Sequence, residues 1–109
     1  MSQLNVIVLH IAADRADEFQ REWEKDELPR WQRFHAEGKF ISARLYRSQY
    51  GSDERRELVK FVIVVEVPSM AEHSAHDSDP GFQAWDRRAD EFQPEPPLVY
   101  GGDVIHRVG

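Results

Sequence analysis

Six polar side chains with the chemistry of an acid/base site occur within the apolar segments of this sequence. A histidine beside a tyrosine or a charged group can move a proton, and an arginine or lysine can hold an enolate or a carboxylate. We predict three catalytic residues and three charged residues that bind the substrate. They are His10, Tyr46 and His106, and Arg44, Lys60 and Glu66, respectively. The alternative is that the six form ion pairs between two chains or face solvent at strand ends.

Two further histidines, His73 and His76, stand three residues apart and are followed by Asp77 and Asp79. This spacing puts both imidazoles on one side of a helix, where they could bind a metal ion together with a carboxylate. The sequence offers no obvious third ligand, so we predict no metal site. The alternative is a solvated helix end with ordinary titrating imidazoles.

Six aromatic side chains recur at helical spacing and could form either a hydrophobic core or a ligand pocket. They are Trp23, Trp31, Phe34, Phe82, Trp85 and Phe92. Aromatic residues at this spacing are typical of a core, which we predict for most of the group. Trp31 and Phe34 follow the helix break at Pro29. We predict that these two are exceptions, which cover a ligand cavity and contact the substrate.

The stretch Leu58–Val67 is the strand on which the other elements depend. Eight of its ten residues are apolar, and β-branched and aromatic residues favour a pleated, half-buried strand. Alternation puts only apolar residues on one face, which we expect beneath helices. The other face carries Lys60 and Glu66 and must contact water, a ligand or a partner chain. By the same alternation, His10 and Tyr46 lie on that second face of their own strands.

The remaining elements follow from periodicity and capping residues. They are a strand over 6–11, a helix capped by Asp14 that breaks at Pro29, a helical piece ending at Gly38, a strand over 40–48, helices capped by Ser69 and Asp79, and a last strand over 103–108. The order strand, helix, strand, strand, helix, strand predicts an α+β, ferredoxin-like βαββαβ fold with an antiparallel sheet.

Composition limits the class of protein. A chain of 109 residues with 40% hydrophobic and 31% charged residues is typical of one globular domain, here residues 1–109. The net charge of −6 disfavours nucleic acid and anionic membrane surfaces as partners. There is no cysteine, no signal-peptide pattern at the N-terminus and no apolar run of the ~18 residues that span a bilayer. We therefore predict a cytoplasmic protein that binds neither nucleic acid nor membrane.

The stretch Ser69–Trp85, SMAEHSAHDSDPGFQAW, resembles the second helical region of the dimeric α+β barrel superfamily. The pattern Trp23-x4-Leu28-Pro29 is similar to the first helical region of EthD-like members. The resemblance covers nearly the whole chain in the order of its elements, and it includes antibiotic-biosynthesis-monooxygenase-like proteins. It implies a homodimer in which two sheets pair face to face and enclose a lumen that binds a hydrophobic small molecule.

The superfamily includes cofactor-free monooxygenases, haem-degrading enzymes, polyketide cyclases and lactone isomerases. The resemblance therefore implies an enzyme that acts by acid/base chemistry, without a tightly bound cofactor, on an aromatic, polyketide-like or lactone-like substrate. It also implies that His73 or His76 borders the mouth of the lumen. A non-catalytic ligand-binding or stress-related barrel is the alternative.

Haem-degrading members of the superfamily use an asparagine, a tryptophan and a histidine at set places. In this chain Asn5 matches the first place, whereas Val67-Pro68 and Trp85-Asp86 stand near the other two. The resemblance therefore does not imply haem degradation for this chain.

Overall fold

The computed structural model describes all 109 residues as a four-stranded antiparallel sheet with helices packed on one face. The strands are β1 (Gln3–Ala12), β2 (Ser42–Arg47), β3 (Leu58–Val67) and β4 (Leu98–Asp103). The helices are α1 (Ala16–Asp26), α2 (Leu28–Ala36), α3 (Met70–Asp77) and α4 (Pro80–Ala89), with 3-10 turns at Ala13–Arg15 and Asp90–Phe92. The predicted α+β ferredoxin-like fold is confirmed. None of the helices has the length and apolar character needed to cross a membrane.

The strand order β2-β3-β1-β4 puts the predicted central strand β3 beside β1. These two strands pair from Gln3 opposite Val67 to Ala12 opposite Leu58, and β2 pairs with β3 as the predicted hairpin. Because side chains alternate, the odd-numbered residues of all four strands share one face and the even-numbered residues share the other. The odd-numbered face packs on the helices, as predicted, and the even-numbered face is the open face.

Aromatic side chains fill the space between the sheet and the helices. Phe19 of α1 is fully buried and lies 4.8 Å from Phe61 of β3 and 5.6 Å from Phe92, measured between ring centroids. Tilted and edge-to-face pairs at these distances are favourable. Phe34 is also a core residue, because it is 2% exposed and packs edge-on against Phe40. Its predicted position as a cover over a cavity is therefore wrong.

Three predicted helix boundaries are confirmed by their capping contacts. The Ser69 hydroxyl accepts a hydrogen bond from the Ala71 amide at 3.2 Å, and the Asp79 carboxylate accepts one from the Phe82 amide at 3.0 Å. Gly38 follows α2 with a φ of +76°, the left-handed conformation that glycine adopts without strain. The predicted cap at Asp14 is wrong, since residues 13–15 form a 3-10 turn and α1 begins after it.

The last strand lies earlier in the chain than predicted. Leu98–Asp103 pairs with the free edge of β1, and the residues after Asp103 have no regular secondary structure. Gly101 stands opposite Asn5. A Cβ at this position would lie only 2.6 Å from Asn5 Oδ1, so a glycine fits here without displacing the asparagine. His106 therefore lies outside the sheet and is exposed, which corrects its predicted place on a strand.

Candidate active site

The open face brings five of the six predicted polar residues onto one surface. His10 stands opposite Lys60 in the β1–β3 register, and Tyr46 stands opposite Val62 in the β2–β3 register. On the same face, Arg44 lies one cross-strand pair beyond Tyr46, and Glu66 lies two pairs beyond it. The prediction that these five share the face turned away from the helices is confirmed, whereas His106 is not part of the sheet.

Three of these polar groups already have partners within the chain. His10 is 6% exposed, and its Nδ1 lies 3.1 Å from the carbonyl oxygen of Pro96, which covers it. Lys60 forms an ion pair with Asp53. Glu66, which is 7% exposed, forms an ion pair with Arg107 of the C-terminal segment.

A cavity of about 590 Å3 lies on the open face beneath the loop that joins β2 and β3. Val8, Lys60, Val62 and Leu98 form its sheet-side wall, and neither His10 nor Tyr46 lines it. The structure therefore does not bring His10, Tyr46 and His106 together around this cavity. Their catalytic role stays a prediction.

A second polar cluster lies on the other side of the sheet, in a cavity of about 80 Å3 that we call the inner cavity. Its walls are apolar side chains of β1 and β3 and aromatic side chains of the helices. Five polar residues also line it, and they are Asn5, Glu27, His73, His76 and Asp77. Asn5 and Glu27 are buried, His73 and His76 are half-buried, and Asp77 is exposed. Buried polar atoms are costly unless they are satisfied, so those of this cluster that lack a partner need an explanation.

Glu27 stands at the junction of α1 and α2 and is 1% exposed. Its Oε1 accepts a hydrogen bond from Trp31 Nε1 at 3.0 Å, and its Oε2 forms an ion pair with Arg30. The Arg30 guanidinium also pairs with Asp79 at 3.3 Å. Gly81 leaves room for this arginine, because a Cβ there would be 2.5 Å from Arg30 Nη2. Helix packing therefore places a paired carboxylate at the edge of the inner cavity.

Asp77 links the two histidines of α3. Its Oδ2 lies 2.9 Å from His73 Nε2, and its Oδ1 lies 3.4 Å from His76 Nδ1. The remaining ring nitrogens, His73 Nδ1 and His76 Nε2, are buried without a hydrogen-bond partner. His76 Nε2 lies 3.9 Å from Glu27 Oε1, which is too far for a hydrogen bond. No group of three or more His, Asp or Glu side chains is placed to hold a metal ion.

Packing fixes the plane of the His76 ring. The ring lies 4.1 Å from Phe82 and about 5.5 Å from Phe34, measured between centroids. When Nδ1 carries the proton and donates it to Asp77, Nε2 presents a lone pair inside the cavity. A histidine oriented by a carboxylate and open at its other nitrogen has the geometry of a general base.

Two carboxylates, Glu27 and Asp77, line the inner cavity, and the first of them is paired with Arg30. Burial raises the pKa of the nearby Asp86 carboxyl, and the carboxylates of Asp90, Asp77 and Glu27 raise that pKa further.

Sequence patterns singled out His73 and His76 for the mouth of a lumen, whereas the structure places both at the inner cavity on the helix side. Asn5 and Glu27 were not predicted as residues of this site. Glu27 had one usable signal, its position directly before the Leu28-Pro29 break and one helical turn before Trp31. Trp31 lines the inner cavity on the helix side, where its indole N–H donates to Glu27, and its predicted contact with the substrate stays a prediction.

No protein-family model and no curated protein matches the sequence. Solved structures match its fold. Rv0793 from Mycobacterium tuberculosis has a TM-score of 0.78 and 15% identity, with 100% of both chains covered. An antibiotic biosynthesis monooxygenase has a TM-score of 0.72 and 14% identity, with 97% of this chain and 100% of that chain covered.

A third structure, a dimeric ferredoxin-like protein of unknown function from Jannaschia sp. CCS1, has a TM-score of 0.73 and 11% identity. It covers 95% of this chain and 100% of its own. At these identities the matches establish the fold. The chain shares the ferredoxin-like fold of antibiotic-biosynthesis-monooxygenase-like proteins, as the resemblance to the dimeric α+β barrel superfamily predicts.

Proposed function

We propose that this chain is a small-molecule enzyme that removes a proton from a hydrophobic substrate whose reacting end enters the inner cavity. The observation that carries the proposal is the buried, unpaired His76 Nε2, held by Asp77 on one side and facing Glu27 across 3.9 Å. The match to a structure that bears the name antibiotic biosynthesis monooxygenase supports a small-molecule reaction.

The proposed step is deprotonation of a carbon or oxygen acid. His76 Nε2 takes the proton, the C–H or O–H bond breaks, and its electron pair forms an enolate or phenolate. Asp77 and Glu27 stabilise the imidazolium that results, because both carboxylates face it. The Asn5 amide, buried in the same cavity, is the group that can donate a hydrogen bond to the new oxyanion. Cyclases, isomerases and cofactor-free monooxygenases can all begin with this step.

We assign the open face to a homodimer. Val6 and Val64 form a central apolar row with Tyr100 and the stem of Arg44, and Leu98 and Tyr100 are exposed. Exposed apolar surface of this kind is typical of a protein interface. The dimeric structure from Jannaschia supports the assignment. Sedimentation at micromolar concentration is expected to give twice 12.7 kDa, and a monomer would contradict it.

The alternative is a protein that binds a ligand without transforming it. The small inner cavity favours this alternative, because about 80 Å3 holds only a few non-hydrogen atoms.

Deuterium exchange separates the two functions. In D2O, 2-tetralone loses its activated protons when a base removes them, and mass spectrometry follows the exchange. We expect wild-type protein to accelerate the exchange. The His76→Gln variant should reduce that acceleration by a factor of at least ~100. Wild-type exchange at the buffer rate would favour the binding protein. Oxygen uptake in the same reaction would assign the monooxygenase among the enzyme classes.

A further inference from the structure

Arg30 holds the Glu27 carboxylate at the edge of the inner cavity. The arginine side chain is 15% exposed and forms an ion pair with Glu27 Oε2. The other carboxylate oxygen, Oε1, accepts the hydrogen bond of Trp31 Nε1 at 3.0 Å. Arg30 and Trp31 are neighbours on α2, so two donors of the same helix engage both oxygens of Glu27 and fix its position.

This position sets the distance between Glu27 and the imidazole of His76. Glu27 Oε1 lies 3.9 Å from His76 Nε2, which is too far for a hydrogen bond and close enough for a carboxylate to attract a cation. His76 Nε2 is buried and has no partner. A carboxylate that could approach further would accept a strong hydrogen bond from an N–H at this nitrogen. It would then hold a proton on the atom that the proposed reaction needs as a base.

The same arginine is connected to the helix that packs on the His76 ring. Arg30 Nε lies 3.3 Å from Asp79 Oδ2, and the Asp79 carboxylate caps α4 by accepting a hydrogen bond from the Phe82 amide at 3.0 Å. The Phe82 ring lies 4.1 Å from the His76 ring, measured between centroids. One guanidinium therefore connects the carboxylate beside the imidazole with the aromatic residue that packs against it.

Gly81 provides the space that the guanidinium occupies. A Cβ at this position would lie 2.5 Å from Arg30 Nη2, 2.9 Å from Nε and 3.0 Å from Cζ. Glycine is a poorer helix former than alanine, so its presence in α4 lowers the stability of this helix. The glycine in turn lets the guanidinium stay between Glu27 and Asp79.

We infer that Arg30 is a positioning residue, which keeps the Glu27 carboxylate near His76 but out of hydrogen-bond range, so that Nε2 retains its lone pair. The resting imidazole then carries its proton on Nδ1, toward Asp77, and the charge of Glu27 is available to stabilise an imidazolium. The inference rests on the proposed function only for the use that is made of this lone pair.

The tautomer of His76 tests the inference without any measurement of activity. In 1H–15N spectra of imidazoles, a nitrogen that carries a proton and one that carries a lone pair resonate in separate ranges. At about pH 8, where an ordinary imidazole is neutral, we expect the lone pair of wild-type His76 on Nε2. Arg30→Met frees the Glu27 carboxylate, so the proton of His76 should move to Nε2. The His76→Gln spectrum assigns the resonances among the 5 histidines.

Arg33→Met is the matched control. Arg33 stands on the same helix and also contacts Asp79, at 3.6 Å, but it forms no ion pair with Glu27. This variant should therefore keep the wild-type tautomer. The same change in Arg33→Met and Arg30→Met would assign the effect to Asp79 and α4, and would overturn the role of Arg30 at Glu27.

Gly81→Ala displaces the guanidinium and keeps every charged group. Because atoms in contact need about 3.5 Å, the guanidinium has to move by roughly 1 Å, and the flexible arginine side chain yields before the helix does. We expect the proton of His76 on Nε2 in this variant too. Circular dichroism checks folding, and Gly81→Ala decides the matter if Arg30→Met does not fold. Gly102→Ala, whose Cβ meets nothing within 4 Å, should keep the wild-type tautomer.

Two results would overturn the inference. The first is a wild-type protein in which His76 Nε2 already carries the proton. The second is an unchanged tautomer in folded Arg30→Met or, where that variant does not fold, in Gly81→Ala.

The proposed function can fail separately. Arg30→Met should lower kcat for exchange of 2-tetralone at least ~10-fold and leave KM unchanged, because the base is affected and the binding of substrate is not. The expected tautomers without exchange by wild-type protein would keep the inference and remove the chemistry. Exchange that depends on His76 but is equally fast in Arg30→Met, with an unchanged tautomer, would keep the chemistry and remove the inference.

Discussion

The two faces of the sheet differ in whether their polar side chains have a hydrogen-bond or ion-pair partner. On the open face, Lys60, Glu66 and His10 each contact a partner supplied by the same chain. On the helix side, two ring nitrogens, His76 Nε2 and Trp23 Nε1, are buried and have no partner.

This difference distinguishes polar groups that stabilise the fold from polar groups that are available to a ligand. A polar group that already has its partners contributes to stability and offers little to a ligand. A buried group with an unused donor or acceptor lowers stability, so its presence calls for a function. In the proposed function, association belongs to the open face and chemistry to the helix side.

The largest expected effect comes from placing a charge on each face in turn. Ile63→Asp puts a carboxylate on the helix side, beside the inner cavity that already holds Glu27 and Asp77, and should lower the free energy of unfolding by roughly 3–5 kcal/mol. Val64→Asp, on the opposite face, should keep the fold and lose the dimer. Urea unfolding and sedimentation measure the two effects. The same folded dimer for both variants would contradict the assignment of the faces.

The second prediction compares one histidine from each face. His76→Gln should reduce the acceleration of 2-tetralone exchange by at least ~100-fold, because it removes the proposed base and keeps the size of the side chain. His10→Gln, whose imidazole contacts the Pro96 carbonyl, should leave the exchange rate within about twofold of wild type. If His10→Gln loses the activity instead, the catalytic site lies on the open face.

Strand faces could be predicted from the sequence because alternation is a local property. The apolar positions of Leu58–Val67, and the places of His10 and Lys60 on the less apolar faces of their strands, follow from a period of two residues. The helix caps at Ser69 and Asp79 could also be predicted from the sequence, since each capping contact spans only two or three residues. The last strand was misplaced because its pairing with β1 is a contact between distant parts of the chain.

The inner cavity could not be predicted for the same reason. Glu27 and His76 are 49 positions apart by their residue numbers, and only the packing of α2 against α3 and α4 brings them within 3.9 Å. The position of Glu27 before the Leu28-Pro29 break marks the end of a helix but does not show that His76 will lie beside it. Alternation along the strands locates polar residues on the sheet and carries no information about polar residues on the helices.

The third prediction concerns the strand glycines. A Cβ at Gly101 would lie 2.6 Å from Asn5 Oδ1, so Gly101→Ala should displace the Asn5 amide and cost roughly 1–3 kcal/mol of stability. Gly102→Ala is the matched control, because a Cβ there meets nothing within 4 Å. Thermal unfolding measures the stability, and exchange of 2-tetralone shows whether the proposed oxyanion donor has moved. Equal stability of the two variants would contradict the close contact at Asn5.

The smallest expected effect is the pH dependence of the open face. Hydrogen bonding from Ser2 lowers the pKa of Glu66 below its ordinary 4.5, and Arg107 lowers it further against the opposing effect of burial. Because the folded state binds this proton less tightly than the unfolded state, the stabilisation is present above pH 4.5 and is lost as the pH falls through the lowered pKa. Glu66→Gln should therefore reduce stability at pH 7 and flatten its fall below pH 4.5, whereas Glu54→Gln, in the exposed loop, should keep the wild-type slope. Urea midpoints between pH 3 and pH 7 measure the slope. An unchanged slope in Glu66→Gln would mean that Arg107 of the C-terminal segment does not hold this carboxylate. The open face would then have an unsatisfied buried charge of its own.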